Sequence, residues 1–179
     1  MSSNIDNRIK TLIVAGGCFW GIQTYYSRVK GVLRTETGYT GGVQDFPKYE
    51  EVCTQSTGHC ESVKIDYDSQ QTNIIKILDH YFHIVDPTSL NYQRGDIGTH
   101  YRSAIFYFTL EDKEIIEQYI ECIKEFYLEK IVVQVLPASD FWPAEDYHQN
   151  YLDKNPSGYC HIGPKHFKKI SLIDNYKGN

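Results

Sequence analysis

Apolar and polar positions along the chain follow two different periods, and the changes of period mark its elements. Residues 11–15 (TLIVA) form an unbroken apolar run, the pattern of a short buried strand, ended by Gly16-Gly17. A helical pattern covers 18–29 and closes at Lys30-Gly31. Residues 32–37 read as a second strand, with Gly38, Gly41 and Gly42 in a loop beyond it. The stretch 45–58 contains Pro47 and few periodic apolar positions, which predicts irregular chain. Alternation returns over 61–67 as a strand, and 73–85 is an amphipathic helix stopped by Asp86-Pro87. A loop over 88–101, a strand over 103–108, a helix over 111–127 and a strand over 130–135 follow. After Pro137 only a short helix (144–152) and a Gly/Pro-punctuated tail are expected. The order predicts an α+β fold, a two-layer sandwich of helices packed on a mixed sheet. Its first six elements have the ferredoxin-like order β-α-β-β-α-β, and a long irregular C-terminal tail follows.

A length of 179 residues suits one domain, with a core over about 10–152 and a tail over 153–179. Hydrophobic residues make up 41% and charged ones 23%, as in ordinary globular proteins. The net charge of −5 disfavours sequence-independent binding to nucleic acid or to an anionic membrane. No apolar run is long enough to span a bilayer, and residues 1–10 are polar and charged, unlike a signal peptide. The expected compartment is the cytoplasm and the expected state a monomer. Tyrosine is in surplus, 15 against 8 Phe and 2 Trp, which suggests aromatic walls that carry hydrogen-bond donors.

The five cysteines, Cys18, Cys53, Cys60, Cys122 and Cys160, contain no Cys-x-x-Cys pair. In the cytoplasm a disulfide among them would more often be catalytic than structural. Cys122 lies in a helical pattern and is expected to face the core. His80 and His83 form an i, i+3 pair with no cysteine beside it, so no metal site is expected. Gly17-Cys18-Phe19-Trp20-Gly21 is the most informative stretch, since it places a thiol where a strand turns into a helix. Orphan N–H groups and the helix dipole favour an anion there, which lowers a thiol's pKa. The same residues equally describe a Gly-Gly turn feeding a core helix with a buried cysteine, and local physics weighs the two readings evenly.

Further motifs decide between them. They are the Gly38-Tyr39 to Gly42 loop, Pro47-x-Tyr49-x-x-Val52-Cys53, Thr57-Gly58-His59-x-Glu61, Asp86-Pro87-Thr88 and Asn91-x-Gln93. Asp96-x-Gly98-x-x-Tyr101-Arg102-Ser103, Ala144-Glu145-Asp146-Tyr147-His148-Gln149 and Asn155-Pro156-x-Gly158-Tyr159-Cys160 follow in order. With the Gly-Cys-Phe-Trp-Gly stretch, the chain from Thr11 to Cys160 resembles the class A peptide methionine sulfoxide reductases. The resemblance implies that Cys18 is the nucleophile that attacks the sulfoxide sulfur, between Phe19 and Trp20 as walls for the S-methyl group. It implies that Glu61 donates a proton to the sulfoxide oxygen beside Tyr49 and Tyr101, with Asp96 as a supporting acid. Cys160 would resolve the Cys18 sulfenic acid as a disulfide. With no cysteine over 161–179, a one-step resolution by Cys160 is expected. Thioredoxin or another dithiol would recycle the enzyme. Oxidised proteins or free methionine sulfoxide, of the S epimer, would be substrates, without a metal or organic cofactor.

Residue by residue the plainer readings differ. Tyr49 and Tyr101 would ordinarily be core or rim aromatics, Glu61 a solvated strand residue and Asp96 a turn residue. His59, Tyr147 and His148 read as structural, and Glu145 and Asp146 as caps of the helix after them. The chain departs from the family pattern at Gln55, Cys60, Tyr92, Arg94 and Gly95, which allows a shifted backbone ahead of Asp96. Should Cys160 not resolve the sulfenic acid, Cys60 is the first alternative. The lysine-rich tail (Lys165, Lys168, Lys169, Lys177) reads as a solvated end. Two other functions remain open: a cysteine acyl-transfer hydrolase, which would need a histidine near Cys18, and a non-enzymatic binding module for methionine-containing peptides.

Overall fold

The computed structural model describes residues 8–176, so the polar segment 1–7 and Lys177 lie outside the described residues. The strands are β1 (Ile9–Ala15), β2 (Val32–Thr40), β3 (Cys60–Asp68), β4 (Tyr92–Gln93), β5 (Asp96–Ile97), β6 (Ala104–Tyr107), β7 (Gln134–Pro137) and β8 (Trp142–Pro143). The helices are α1 (Phe19–Tyr26), α2 (Tyr49–Cys53), α3 (Ile74–Ile84), α4 (Leu110–Ile123), α5 (Tyr151–Lys154), α6 (Pro164–Phe167) and α7 (Ile170–Asn175). Among the described residues, one sheet runs in the order β7-β6-β1-β3-β2-β8, and β4-β5 form a separate pair. Its four inner strands, β6-β1-β3-β2, have the arrangement of a ferredoxin-like core, with α1 and α3 as the crossover helices. β3 is antiparallel to both β1 and β2, and β6 pairs β7 in parallel, so the sheet is mixed.

Period-two alternation divides β1 between two buried layers. Leu12 and Val14 join Val63 and Ile65 of β3, Ile22 and Tyr25 of α1, and Ile77 and Tyr81 of α3. Ile13 and Ala15 face the other way, with Cys60, Ala104 and Phe106, under Leu136 and Phe141. Burial on both faces explains the continuous apolar run at 11–15. Several tyrosines sit in this core with their hydroxyls bonded. Tyr26 donates to Ile77 O at 2.9 Å and Tyr81 to Ala15 O at 2.8 Å, which fixes the end of β1 next to the Gly16-Gly17 turn.

Several expectations need correction. The stretch 45–58 is not wholly irregular, because α2 forms within it: Glu51 accepts from the Lys48 backbone N–H at 2.8 Å and caps the first turn. No helix covers 144–152, where turns lead into α5 and Ala144 N–H bonds Thr37 O at 2.9 Å, prolonging the edge that β8 adds to β2. Glu145 therefore caps no helix. The last main strand is Gln134–Pro137 rather than 130–135, since Val132 N–H instead bonds Pro87 O at 2.8 Å. Cys122 is exposed: the buried stripe of α4 runs through Asp112 and Ile116 and leaves Cys122 on the solvent side. The tail is more ordered than expected, because it forms α6 and α7 and sends Ile162 and Ile170 into the main core.

Gln149 acts as a substitute strand along the free edge of β2. Its side-chain amide accepts from Thr37 N–H at 3.0 Å and donates to Thr37 O at 2.9 Å and Ala144 O at 3.1 Å. Thr37 O keeps the Ala144 N–H, but Gln149→Ala leaves Thr37 N–H and Ala144 O without the amide and should lower stability by about 2–3 kcal/mol. Urea unfolding checks this, and a loss below about 0.5 kcal/mol, the range of ordinary surface changes, would contradict it.

Candidate active site

The turn after β1 sets the geometry. Gly17 adopts φ +85° and donates its N–H to Tyr101 O at 3.0 Å. A Cβ there would lie 2.8 Å from Gln93 Cβ and 3.0 Å from His161 Nε2, so only glycine fits. Cys18 becomes the N-cap of α1, and the first free N–H groups of the helix meet two carboxyl groups. Cys18 N–H donates to Asp96 Oδ2 at 3.2 Å, and Phe19 N–H donates to Glu61 Oε2 at 3.0 Å. Asp96 comes from β5, so the unusual residues ahead of it have not carried it away. Its other oxygen accepts from the Tyr159 hydroxyl at 2.8 Å, and His161 Nδ1 lies 3.6 Å from Oδ2.

Cys18, Phe19, Glu61 and Asp96 are buried, at 6%, 1%, 1% and 8% exposure, so the plain reading of Glu61 as a solvated residue fails. Trp20, Tyr49 and Tyr101 are partly buried at the edge of the same core. Trp20 stacks on Tyr151 at 3.7 Å, and its indole N–H donates to His148 Nδ1 at 2.9 Å. His148 in turn packs on Phe19 and Tyr49, with ring centroids at 5.1 and 4.5 Å. Glu145 bonds Tyr49 N–H at 2.9 Å and the Tyr39 hydroxyl at 2.7 Å, holding α2 against the site. The histidine does what its structural reading expects, whereas Glu145 clamps loops together.

Electrostatics set the protonation of the cluster. Burial pushes the Glu61 carboxyl up to about 8; the Phe19 N–H opposes this and the Asp96 charge adds to it. Burial first, and the Glu61 charge second, also push the Cys18 thiol above its ordinary range, against the Trp20 backbone N–H. The expected lowering of that thiol by the helix terminus is therefore outweighed, since desolvation and two nearby carboxyl groups act on the same sulfur. Burial and the Glu61 charge raise the phenols of Tyr49 and Tyr101 as well. At neutral pH Glu61 is thus the protonated carboxyl of the group, facing a protonated thiol.

Cys160 reaches the same helix from the tail. Its Sγ would lie 3.0 Å from a Cβ on Gly21, which is three residues after Cys18 in α1, so glycine there admits the second thiol. Cys60 belongs to the layer on the opposite face of the sheet from Cys18. Among the described residues, no three His, Cys, Asp or Glu side chains cluster as metal ligands.

The family model for peptide methionine sulfoxide reductase matches residues 10–177. The chain belongs to that family. It is an enzyme, a peptide methionine sulfoxide reductase, and the hydrolase and the passive binding module are set aside. It is 47% identical over 161 residues to the peptide methionine sulfoxide reductase MsrA of Clostridium acetobutylicum, covering 90% of this chain and 99% of that one. Its fold is similar to Mxr1 of Saccharomyces cerevisiae in reduced form, with a TM-score of 0.84 at 30% identity over 88% of this chain and 92% of that one. It also resembles Mxr1 in complex with Trx2, with a TM-score of 0.59 at 20% identity over 84% and 92% of the two chains, a likeness of fold alone.

Sequence reasoning about this reductase missed the supports of its motif residues. Tyr159 holds Asp96 and Tyr151 stacks on Trp20. Only Tyr159 had a signal, its place just before Cys160.

The raised Glu61 carboxyl can be seen directly. Infrared spectra should show a protonated-carboxyl C=O band at pH 6 that Glu61→Gln removes and that titrates away at about pH 8. Between the unfolded value of about 4.3 and about 8, the folded chain keeps a proton that the unfolded chain has lost. The Glu61 contribution to stability should therefore fall as pH rises through that window, so the stability difference between wild type and Glu61→Gln should decline with that slope. A wild-type protein without the band at pH 6 would contradict the assignment.

Proposed function

We propose that the chain reduces the S epimer of methionine sulfoxide, free or within proteins, by way of a Cys18 sulfenic acid. The observation that carries this reading is the pair of buried groups at the start of α1: a thiol, and a carboxyl that keeps its proton at neutral pH. A sulfoxide is a dipolar S–O group and a poor electrophile until its oxygen is protonated. Glu61 donates a proton to that oxygen, and the Tyr49 and Tyr101 hydroxyls hydrogen-bond it. Cys18 Sγ attacks the sulfur as its own proton passes to the Glu61 carboxylate just formed, so the acid is restored and no free thiolate needs to accumulate. The oxygen passes to Cys18 as the sulfenic acid, and methionine departs. Trp20, braced by Tyr151 and His148, with Phe19 behind it, walls the S-methyl group. Asp96 fixes the start of α1 and orders the Tyr159-Cys160 segment.

Cys160 then attacks the sulfenic sulfur, a Cys18–Cys160 disulfide forms and water leaves. A protein dithiol reduces it by exchange, and thioredoxin suits this step; the complex of Mxr1 with Trx2 supports that choice. Thiols carry every electron, so the cycle needs no metal or organic cofactor. The cycle suits a cytoplasmic monomer that repairs oxidised proteins.

Two experiments check the scheme. With separated epimers, the S form should be reduced and the R form essentially untouched; equal turnover would overturn the stereochemical assignment. Cys18→Ser should give no methionine, whereas Cys160→Ser should give about one methionine per enzyme and then stall with thioredoxin. Normal recycling of Cys160→Ser by thioredoxin would remove Cys160 from the resolving role.

A further inference from the structure

Beside α1, a cavity of about 560 Å³ opens directly onto Cys160. Leu152, Ile162, Pro164 and Phe167 give it an apolar floor. Among the described residues, its only charged lining residues are Arg28 and Lys168, both positive, in a chain whose net charge is −5. The Arg28 guanidinium lies over the Phe167 ring at 4.9 Å, which aims it into the cavity. Among the described residues, neither cation is paired with a carboxylate. The Arg28 charge is close enough to draw the Cys160 thiol down against the effect of its burial.

We propose that this cavity is a binding site for a small anionic thiol, one carrying carboxylates, which recycles the enzyme by attacking Cys160. The inference rests on the Cys18–Cys160 disulfide of the cycle described above. A bound thiolate attacks Cys160 Sγ, the Cys18–Cys160 bond breaks, and its electron pair leaves on Cys18, which takes up a proton. The new bond joins Cys160 to the small thiol. A second thiol attacks the small-thiol sulfur of that mixed disulfide, forming the oxidised small disulfide and returning Cys160 with a proton. Two thiols are oxidised and one protein disulfide is reduced. The mixed disulfide leaves Cys18 free again, so its geometry is that of the thiol form described here, with the small thiol in the cavity and its carboxylates at Arg28 and Lys168. Cationic walls raise the local concentration of anions, and both neutral and cationic thiols lose that advantage.

The test compares recycling by mercaptosuccinate, 2-mercaptoethanol and cysteamine, each expressed per thiolate present. Wild type should favour mercaptosuccinate over 2-mercaptoethanol by roughly tenfold or more, and added salt should erase the preference. Arg28→Glu with Lys168→Glu should abolish or invert the ratio, with 2-mercaptoethanol serving as the internal control for a folded, competent protein. A wild-type protein without preference, or a ratio unchanged in the double variant, would overturn the proposal. The methionine burst of pre-reduced wild type, read before any thiol is added, keeps the two readings apart. A normal burst with no thiol preference overturns the cavity proposal alone, and loss of the burst overturns the Cys18 chemistry.

Discussion

A carboxyl group with 1% exposure, Glu61 at the start of β3, is held against the first turn of α1 by the Phe19 N–H at 3.0 Å. Much of the rest of the site depends on this contact. It requires β3 to lie beside β1 in the register that pairs Val63 with Val14. A slip by one residue would turn Glu61 to the far face, where Cys60 now sits, and bring Cys60 to the helix. It also requires the Gly16-Gly17 turn to bring α1 back over the sheet, which the Tyr81 hydroxyl on Ala15 O and the Gly17 N–H on Tyr101 O secure.

The same burial that keeps Glu61 protonated works against a free Cys18 thiolate. Two acids side by side in a dry pocket each favour their neutral form, and ionising one opposes ionising the other. Such a site suits the coupled proton movement of the proposed cycle, in which the carboxyl proton goes to the oxygen while sulfur attacks sulfur. Asp96 ties the nucleophile's backbone to the Tyr159 hydroxyl and hence to the Cys160 segment. Through it, Cys18 and Cys160, the two thiols of the proposed cycle, share one hydrogen-bonded frame.

Much of this was legible in the residues themselves. The run at 11–15, the alternation at 61–67 and the amphipathic stretch at 73–85 mark β1, β3 and α3 to within a residue or two, because burial imposes those periods directly. Cys18 at a strand-to-helix junction was legible as well, although its protonation was not: that depends on carboxyl groups 43 and 78 positions away in the chain. The misreadings have a common cause. Cys122 fits the apolar spacing of α4, yet the face turned to the core runs through Ile116, Tyr119 and Ile120 and leaves Cys122 to one side. Residues 144–152 look helical, but Gln149 and Ala144 pair with the edge of β2, a long-range partner that no local pattern reveals. The order in the tail likewise comes from Ile162 and Ile170 finding the core, not from helix propensity.

The claim on which the account turns is that a neutral Glu61 supplies the proton to the sulfoxide oxygen. The direct measurement is the rate of methionine release in a single turnover, followed against pH for wild type and for Glu61→Gln. Wild type should lose rate on the alkaline side with an apparent pKa of about 8, shifted to the extent that bound substrate alters the burial of the carboxyl. Glu61→Gln should be slower by roughly 100-fold or more and lack that limb, because an amide donates a hydrogen bond without giving up a proton. A Glu61→Gln enzyme with the wild-type rate and the same alkaline limb would contradict the account and pass the role of acid to a tyrosine.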